Sequence, residues 1–526
     1  MASYFYSKLT AGQNPVMTLL KNPDDNPMIP ARRAGVTGLC VHAFLAVVAG
    51  LALRILFALK FPASSGDSGL YLQLARNWAD HHVYGLWLNG QLIPVDLRMP
   101  GYSAFLAGVA LVFGRSIRAI VLSQAALDIC TCLLTGALAA ALAPRAARRR
   151  VTIAALWLST TCPFLANYSA AVLTEVLTAF LTTAALICFV TGLKREVTEL
   201  SFGRHSLPVS ATRAACLGAF LTGIASLVRP EMPLLLAVAG SLFALRWWKP
   251  AGWRKVVLSG MAMFIAFLLP LIPWTARNFI TLHKLQISAD RYTTLPGEYA
   301  PVGYYKWANT WMVRFRDVYI SVWKLNEEPV QINDFPASAF DSPEEKQRTA
   351  ELFDKYNSSP NLDISPEIDR GFAELARERT KRHPLRTYFS APFGRALTMW
   401  FTPRTELLPI DGKFWPILEM WENSPPDFLI TAIFGALGYL YPALAIAGIW
   451  VARRYTRVSN PELREPGTQP ENAPNLWGIA LLIAYMLVRT AFLTTVEAPE
   501  PRYVVTCYPA LLALAGQVWS GKQRLE

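Results

Sequence analysis

The sequence predicts an all-α polytopic membrane protein. Hydrophobic residues make up 53% of the 526 positions and charged residues only 17%. Apolar runs of spanning length recur along the chain, and Lys/Arg-rich loops alternate with loops that lack such clusters. Soluble domains carry about 25% charged residues, and a hydrocarbon core about 30 Å thick selects helices of about 20 apolar residues. The net charge of +13 therefore reads as basic cytoplasmic loops, not as a nucleic-acid surface, because the arginine clusters lie between hydrophobic runs.

Ten runs fit this pattern, at 37–60, 116–143, 151–168, 172–192, 214–229, 232–246, 254–274, 428–451, 476–494 and 503–519. PGYSAFLAGVALVFG (100–114) is too short to span and is expected as a re-entrant or interfacial helix. The basic clusters at 144–150, 194–213, 246–255 and 452–457 occupy every second connection, which assigns them and the N-terminus to the cytoplasm. Counting 100–114 as a crossing breaks that alternation. The polar N-terminal stretch argues against a cleavable signal peptide. The seven cysteines, Cys40, Cys130, Cys132, Cys162, Cys188, Cys216 and Cys507, fall almost entirely in apolar spans and form no CxxC pair or disulfide framework.

This bookkeeping divides the chain into four parts. A cytoplasmic N-terminal segment (1–36) precedes a transmembrane module (37–274) whose first exported loop is 61–115. An exported soluble subdomain (275–427) and a C-terminal transmembrane module (428–526) follow. Within the subdomain, DSPEEKQRTAELFDKY (341–356) and SPEIDRGFAELARERTKR (365–382) carry Ser-Pro-Glu starts and read as capped helices. HPLRTYFSAPFGRALTMWF (383–401) is more apolar and suits the membrane surface. The aromatic front GEYAPVGYYKWANTWMVRF suits either sugar stacking or an interfacial role. The loop 459–475 reads as a flexible linker.

The exported face collects the residues able to do chemistry: Asp67, Arg98, Glu175, Arg229, Glu231, Arg277, Glu497, Glu500 and Arg502. Arg229 and Arg502 sit there against the charge trend, either as functional cations or as headgroup anchors. In SSGDSGLYLQLARNWAD (64–80), Asp67 is an ordinary helix N-cap or a catalytic acid. Leu70, Tyr71, Leu74, Ala75 and Trp78 follow it on one helical face. Glu175 opens another span, where a carboxylate also favours the helix dipole.

Six stretches then occur in a fixed order. They are GDSGLYLQLARNW after the first span, LRMPGYSAFLAGVALVFG, ANYSAAVLTEVLTAFL (166–181), GIASLVRPEMPLLL (223–236), LIPWTARNFITLHKLQIS (271–288) and PEPRYVVTCYPALLALAG (499–516). In this the chain resembles the membrane-embedded GT-C glycosyltransferases, more narrowly the branch of lipid A aminoarabinose transferases and protein O-mannosyltransferases. The resemblance covers most of the chain outside the insert and the first 35 residues. It implies a GT-C fold of about ten transmembrane helices, interfacial helices in the first exported loop, and a small, mainly helical exported subdomain. It also implies that Asp67 is the base that activates the acceptor and that Glu175 is the second membrane-proximal acid. Two departures stand out. Ser68 replaces the second acid that many relatives carry, and Arg98-Met99 replaces an acid–Lys pair before the residue matching Pro100.

The resemblance further implies a polyprenyl-phosphate sugar as donor and an active site on the exported, periplasmic face of a bacterial inner membrane. The acceptor would be a lipid, a glycan or a protein, membrane lipids would be partners, and nucleic acid would not. With phosphate as leaving group, the site needs no general acid, and one carboxylate serves as base in a single inverting displacement. Cations must hold the phosphate, and arginine suits it; Arg229, Arg98, Arg502 and Arg277 are the candidates, with Tyr71 and Glu231 as substrate-binding neighbours. No His/Asp/Glu cluster shows metal-ligand spacing, so no metal ligand is assigned and metal dependence stays open; His81-His82 reads as a polar loop. The rival class is a transporter or flippase of a lipid-linked or small polar substrate. It would concentrate charge at mid-membrane and repeat its halves. Here the only acid deep in a span is Asp128, within reach of neutralisation by Arg54 or Arg489. A non-catalytic scaffold of the same fold is the third reading.

Overall fold

A computed structural model describes residues 28–64, 66–194, 198–202, 205–209, 211–292, 294–295, 298–458 and 473–521. Most of the expected N-terminal segment and of the expected linker 459–475 lies outside the described residues. The first half runs α1 (Met28–Lys60), α2 (Gly66–His81), a hairpin of β1 (Gly85–Leu88) and β2 (Gln91–Pro94), α3 (Pro100–Phe113) and α4 (Ile117–Leu142). It continues through α5 (Arg148–Thr160), α6 (Pro163–Ser169), α7 (Glu175–Gly192), a hairpin of β3 (Thr198–Phe202) and β4 (His205–Val209), α8 (Ala211–Ser226), α9 (Pro233–Ala251), α10 (Trp253–Leu268) and α11 (Ile272–Leu282).

The second half holds α12 (Val302–Asn309), α13 (Phe315–Val318), α14 (Pro343–Asn357), α15 (Pro366–Arg382), α16 (Ala391–Phe401), α17 (Ile417–Asn423), α18 (Pro425–Val458), α19 (Leu476–Leu493) and α20 (Tyr508–Ala515). Among the described residues six helices are long and apolar enough to cross a membrane: Gly38–Lys60, Ile117–Leu142, Glu175–Gly192, Trp253–Leu282, Pro425–Tyr455 and Leu476–Leu493. They match six of the ten expected spans. The other four are helical but shorter, broken or more polar. The 151–168 run breaks at Cys162, where Pro163 starts α6, because proline fits the first helical position and cannot continue a helix. The 214–229 run is the 16-residue α8, α9 carries Arg246 and Lys249, and the 503–519 run is α20 flanked by 3₁₀ turns.

The main core joins α4 to α7 with α18 to α20, through Leu138, Phe164, Tyr168, Phe189, Leu482 and Tyr508 among others. α1 instead leaves Phe44, Leu56 and Leu59 exposed, the outward face of a helix bathed in lipid rather than water.

The expected first exported loop, 61–115, contains more than helices. Asn89 and Gly90 both adopt positive φ (50° and 77°) between β1 and β2, the backbone that an Asn-Gly hairpin turn requires. α3 is a 14-residue helix, too short to span, packed on α2 and α4. Its start is fixed by a close approach. The Gly101 amide donates to the Leu227 carbonyl at 2.7 Å, and a Cβ at 101 would meet that same oxygen at 2.7 Å. This contact seats the loop on the end of α8.

The subdomain begins later than expected, since α11 continues to Leu282 before His283 ends it in the left-handed region (φ 54°). Ser342 and Ser365 cap α14 and α15 by accepting from the Glu345 and Ile368 amides. The centre of the aromatic front is turned inward. Tyr304, Trp307 and Trp311 are buried with Phe335, Phe353 and Phe372 as the core of the subdomain. On and before α16, Leu385, Tyr388, Phe389 and Phe393 point outward, as on a helix lying at an interface.

Candidate active site

Three hydrogen bonds bring α2 to the bundle. The Ala63 amide donates to the Ala170 carbonyl at 3.1 Å, the Val172 amide donates to Ala63 at 3.2 Å, and the Ser68 hydroxyl donates to the Val172 carbonyl at 2.9 Å. Ser68, next to Asp67, is thus a strut. The Gln124 amide group holds the same turn by donating to the Ser169 and Ala171 carbonyls.

Asp67 lies in the first turn of α2, not before it, so it favours the helix dipole without acting as the N-cap. Both carboxylate oxygens are occupied: Arg98 Nη2 donates to Oδ1 at 3.0 Å and Arg502 Nη2 donates to Oδ2 at 2.9 Å. Burial alone would raise the carboxyl, but the Arg502 and Arg98 charges outweigh it and hold it at about 2. Arg502 also pairs with Glu500 at 2.5 Å. Burial raises Glu500 above the usual carboxylate range, and the neighbouring Asp67 charge adds to that rise against the pull of Arg502.

Behind this pair sits a second, drier cluster. Arg229 donates to Glu175 at 2.6 Å and to the Thr174 hydroxyl at 2.9 Å, and approaches Glu231 at 3.5 Å. Arg489 donates to Glu231 at 2.8 Å. The Tyr503 ring lies between the two clusters, 5.5 Å from the Arg229 guanidinium and 5.4 Å from that of Arg502, and its hydroxyl donates to Glu500 at 3.1 Å.

A cavity of about 880 Å³ opens onto Asp67, Glu500 and Arg502, with Lys60, Tyr168 and Glu406 on its other walls. The Tyr168 hydroxyl donates to Glu406. Glu175, Arg229 and Glu231 do not line this cavity. Glu175 is 2% exposed, with one oxygen on Arg229 and the other buried without a partner. Arg229 therefore braces the site from behind, and its guanidinium is already taken up by two carboxylates and a hydroxyl. Tyr71 is buried edge-on against Tyr102 beneath α2.

Arg277 stands apart. It donates to the Val95 and Tyr84 carbonyls at 2.9 and 2.6 Å, packs over Trp274, and lines a separate cavity of about 420 Å³. Its place is structural, fastening the hairpin to α11. Glu497 is likewise held away from Asp67, by Arg291 and Tyr292 at 2.8 and 2.7 Å. Asp128 pairs with Arg54 at 2.6 Å, and Arg489 serves Glu231 instead. Among the described residues no group of three His, Cys, Asp or Glu side chains is arranged to hold a metal ion.

Sequence reasoning missed Tyr503, Tyr168 and Glu406, and it paired Arg489 with Asp128 rather than with Glu231. Tyr168 and Tyr503 lay within motifs already singled out, at NYSAA and PEPRYVV. Glu406 had no local signal, because only the return of the insert to the bundle brings it there.

No family model and no curated protein matches the chain. Solved structures similar to it include the Archaeoglobus fulgidus oligosaccharyltransferase tethered to an acceptor peptide, at 13% identity and TM-score 0.45 over 91% of this chain and 49% of that one. The same archaeal protein complexed with zinc and sulfate matches at 13% identity and TM-score 0.43, over 90% and 48%. ArnT from Cupriavidus metallidurans bound to undecaprenyl phosphate matches at 14% identity and TM-score 0.34, over 91% and 77%. The chain spans about half the length of the archaeal chains it matches.

Proposed function

We propose that the chain is an inverting glycosyltransferase of the GT-C type. It would move a monosaccharide from a polyprenyl-phosphate carrier to an acceptor hydroxyl on the exported face of a bacterial inner membrane. One observation carries the reading: an ionised carboxylate gripped by two arginines at the wall of a large cavity, beside helices of membrane-spanning length.

Arg98 and Arg502 suit the donor phosphate, which is a monoanion in the sugar diester and gains charge as the sugar departs. A phosphate bound to these guanidiniums draws them from Asp67. The carboxylate then loses the charges that hold it at about 2 and becomes a stronger base as the donor arrives. Asp67 takes the acceptor proton, the acceptor oxygen bonds to the anomeric carbon, and the bond to phosphate breaks with its electron pair on phosphate. Arg229, Glu175, Glu231 and Arg489 keep the cavity wall in place.

The transporter reading loses support from the Arg54–Asp128 pair, since this buried acid is already paired with a cation. The test is turnover by the purified protein with a panel of polyprenyl-phosphate sugars and acceptors, wild type against Asp67→Asn. The proposal expects donor-dependent transfer that collapses in the variant. Unimpaired transfer by Asp67→Asn overturns the base assignment, and substrate movement across proteoliposomes without sugar transfer overturns the enzyme reading.

A further inference from the structure

α8 leads to Arg229 at one end, and its other end, about 24 Å away for 16 residues of helix, opens on a different cavity. Thr212 of α8, Gly240, Phe243 and Trp247 of α9, and Lys255, Ser259 and Met263 of α10 are among the residues that enclose about 310 Å³. The lining is graded. Phe243, Met263 and Gly240 make the inner part apolar, Gly260 is exposed, and a Cβ on either glycine would meet nothing within 4 Å. The outer part is polar and, among the described residues, holds no carboxylate. It holds the Lys255 ammonium, the Thr212 and Ser259 hydroxyls 3.4 Å apart, and Trp247, whose indole Nε1 is buried without a hydrogen-bond partner. α8 and α10 both start at this end, so two helix N-termini add positive potential to that of the lysine. Trp248 and Trp253 stand exposed beside it, as interfacial anchors do.

A cavity with an anion-seeking mouth and an apolar interior, opening between helices of a membrane bundle, fits an amphiphile and not a free ion. We propose that it holds one anionic phospholipid of the leaflet opposite the Asp67 site. The headgroup phosphate rests on Lys255, Thr212 and Ser259, and an acyl chain passes over Gly260 and Gly240 toward Met263. The charge complementarity selects an acidic lipid over a zwitterionic one. The site is independent of the proposed transferase reaction.

The experiment uses the full chain, delipidated in detergent, with phosphatidylglycerol, phosphatidylcholine and inorganic phosphate as separate probes. Native mass spectrometry reads lipid retention, and thermal unfolding reads stabilisation. Phosphatidylglycerol is expected to bind one to one and to raise the unfolding temperature. Lys255→Gln weakens that binding about tenfold, the scale of one charge-assisted hydrogen bond. Gly260→Leu and Gly240→Leu, which fill open space, each remove it, while Lys249→Gln, outside the cavity, leaves it unchanged. Equal binding of phosphatidylcholine, undiminished binding by Lys255→Gln, retention in a folded glycine variant, or equal protection by inorganic phosphate would each overturn the proposal.

Discussion

Arg502 and Asp67, 435 positions apart in sequence, meet at 2.9 Å, and Arg98 closes the other side of the same carboxylate at 3.0 Å. A carboxylate with both oxygens on guanidiniums is a poor base at rest and a better one once a phosphate competes for those cations. Removing it should therefore strike turnover more than binding. Asp67→Asn keeps the shape but not the proton acceptor, and a general base contributes about 100- to 10,000-fold. The expected outcome is a fall in kcat of at least about 100-fold with little change in donor KM. A fall confined to KM would make Asp67 a binding residue only.

Arg502 spans Asp67 and Glu500 with one planar fork, a geometry that a lysine ammonium cannot copy. Arg502→Lys is expected to lower kcat/KM for the donor by about 10- to 100-fold, since a hydrogen bond to a charged group contributes about 1.5–3 kcal/mol. Steady-state kinetics against donor concentration checks this. Arg277→Lys gives the contrast. It strands the Val95 and Tyr84 carbonyls, so it should lower thermal stability by about 1–3 kcal/mol while leaving donor KM in place.

The charge grip also fixes a pH response. Asp67 is held at about 2, below the usual value of about 3.9, so its folded form resists protonation. Its contribution to stability is full above the unfolded value and is lost as pH falls from about 4 toward 2. Arg98→Gln removes one of the two cations and should move the folded value back toward 3.9, shrinking that acid-side loss. Thermal unfolding of wild type and Arg98→Gln between pH 5 and pH 2.5, on a scale of about that width, is the measurement. Identical acid profiles would remove Arg98 from the cause of the shift.

The site was partly legible in the sequence because two rules constrain it. Spanning runs must be apolar and basic loops stay inside, so Asp67, Glu175, Arg229 and Arg502 fell on one face before any contact was known. Pairing was not legible. Which arginine serves which acid depends on packing at the angstrom scale, and Arg229 proved to brace Glu175 and Glu231 while Arg502 lines the cavity. Arg489 looked like a partner for Asp128 by depth in its span, yet the helix presents it to Glu231. The hairpin at 85–94 carries a local signal in Asn89-Gly90, where both residues take positive φ. The aromatic front of the insert misled because stacking surfaces and small cores use the same residues; only burial of Trp307 decides between them.

The Arg54–Asp128 pair separates the enzyme from the transporter once stability and activity are read on the same variants. Both side chains are essentially unexposed, at 0% and 2%, and Arg54 also donates to the Gly50 and Thr160 carbonyls at 2.9 and 2.7 Å. Asp128→Asn leaves that guanidinium buried without its counter-charge, a loss of about 3–5 kcal/mol where such pairs have been broken. Replacing both residues, Arg54→Met with Asp128→Leu, removes the stranded charge and should recover most of the stability. Thermal unfolding of wild type, single and double variants reads the cycle. If the pair only holds α1 to α4, sugar transfer by the double variant stays within a few-fold of wild type. A transporter that carries charge on Asp128 would instead lose its function in the double variant despite restored stability, because no hydrophobic pair can take up and release a proton.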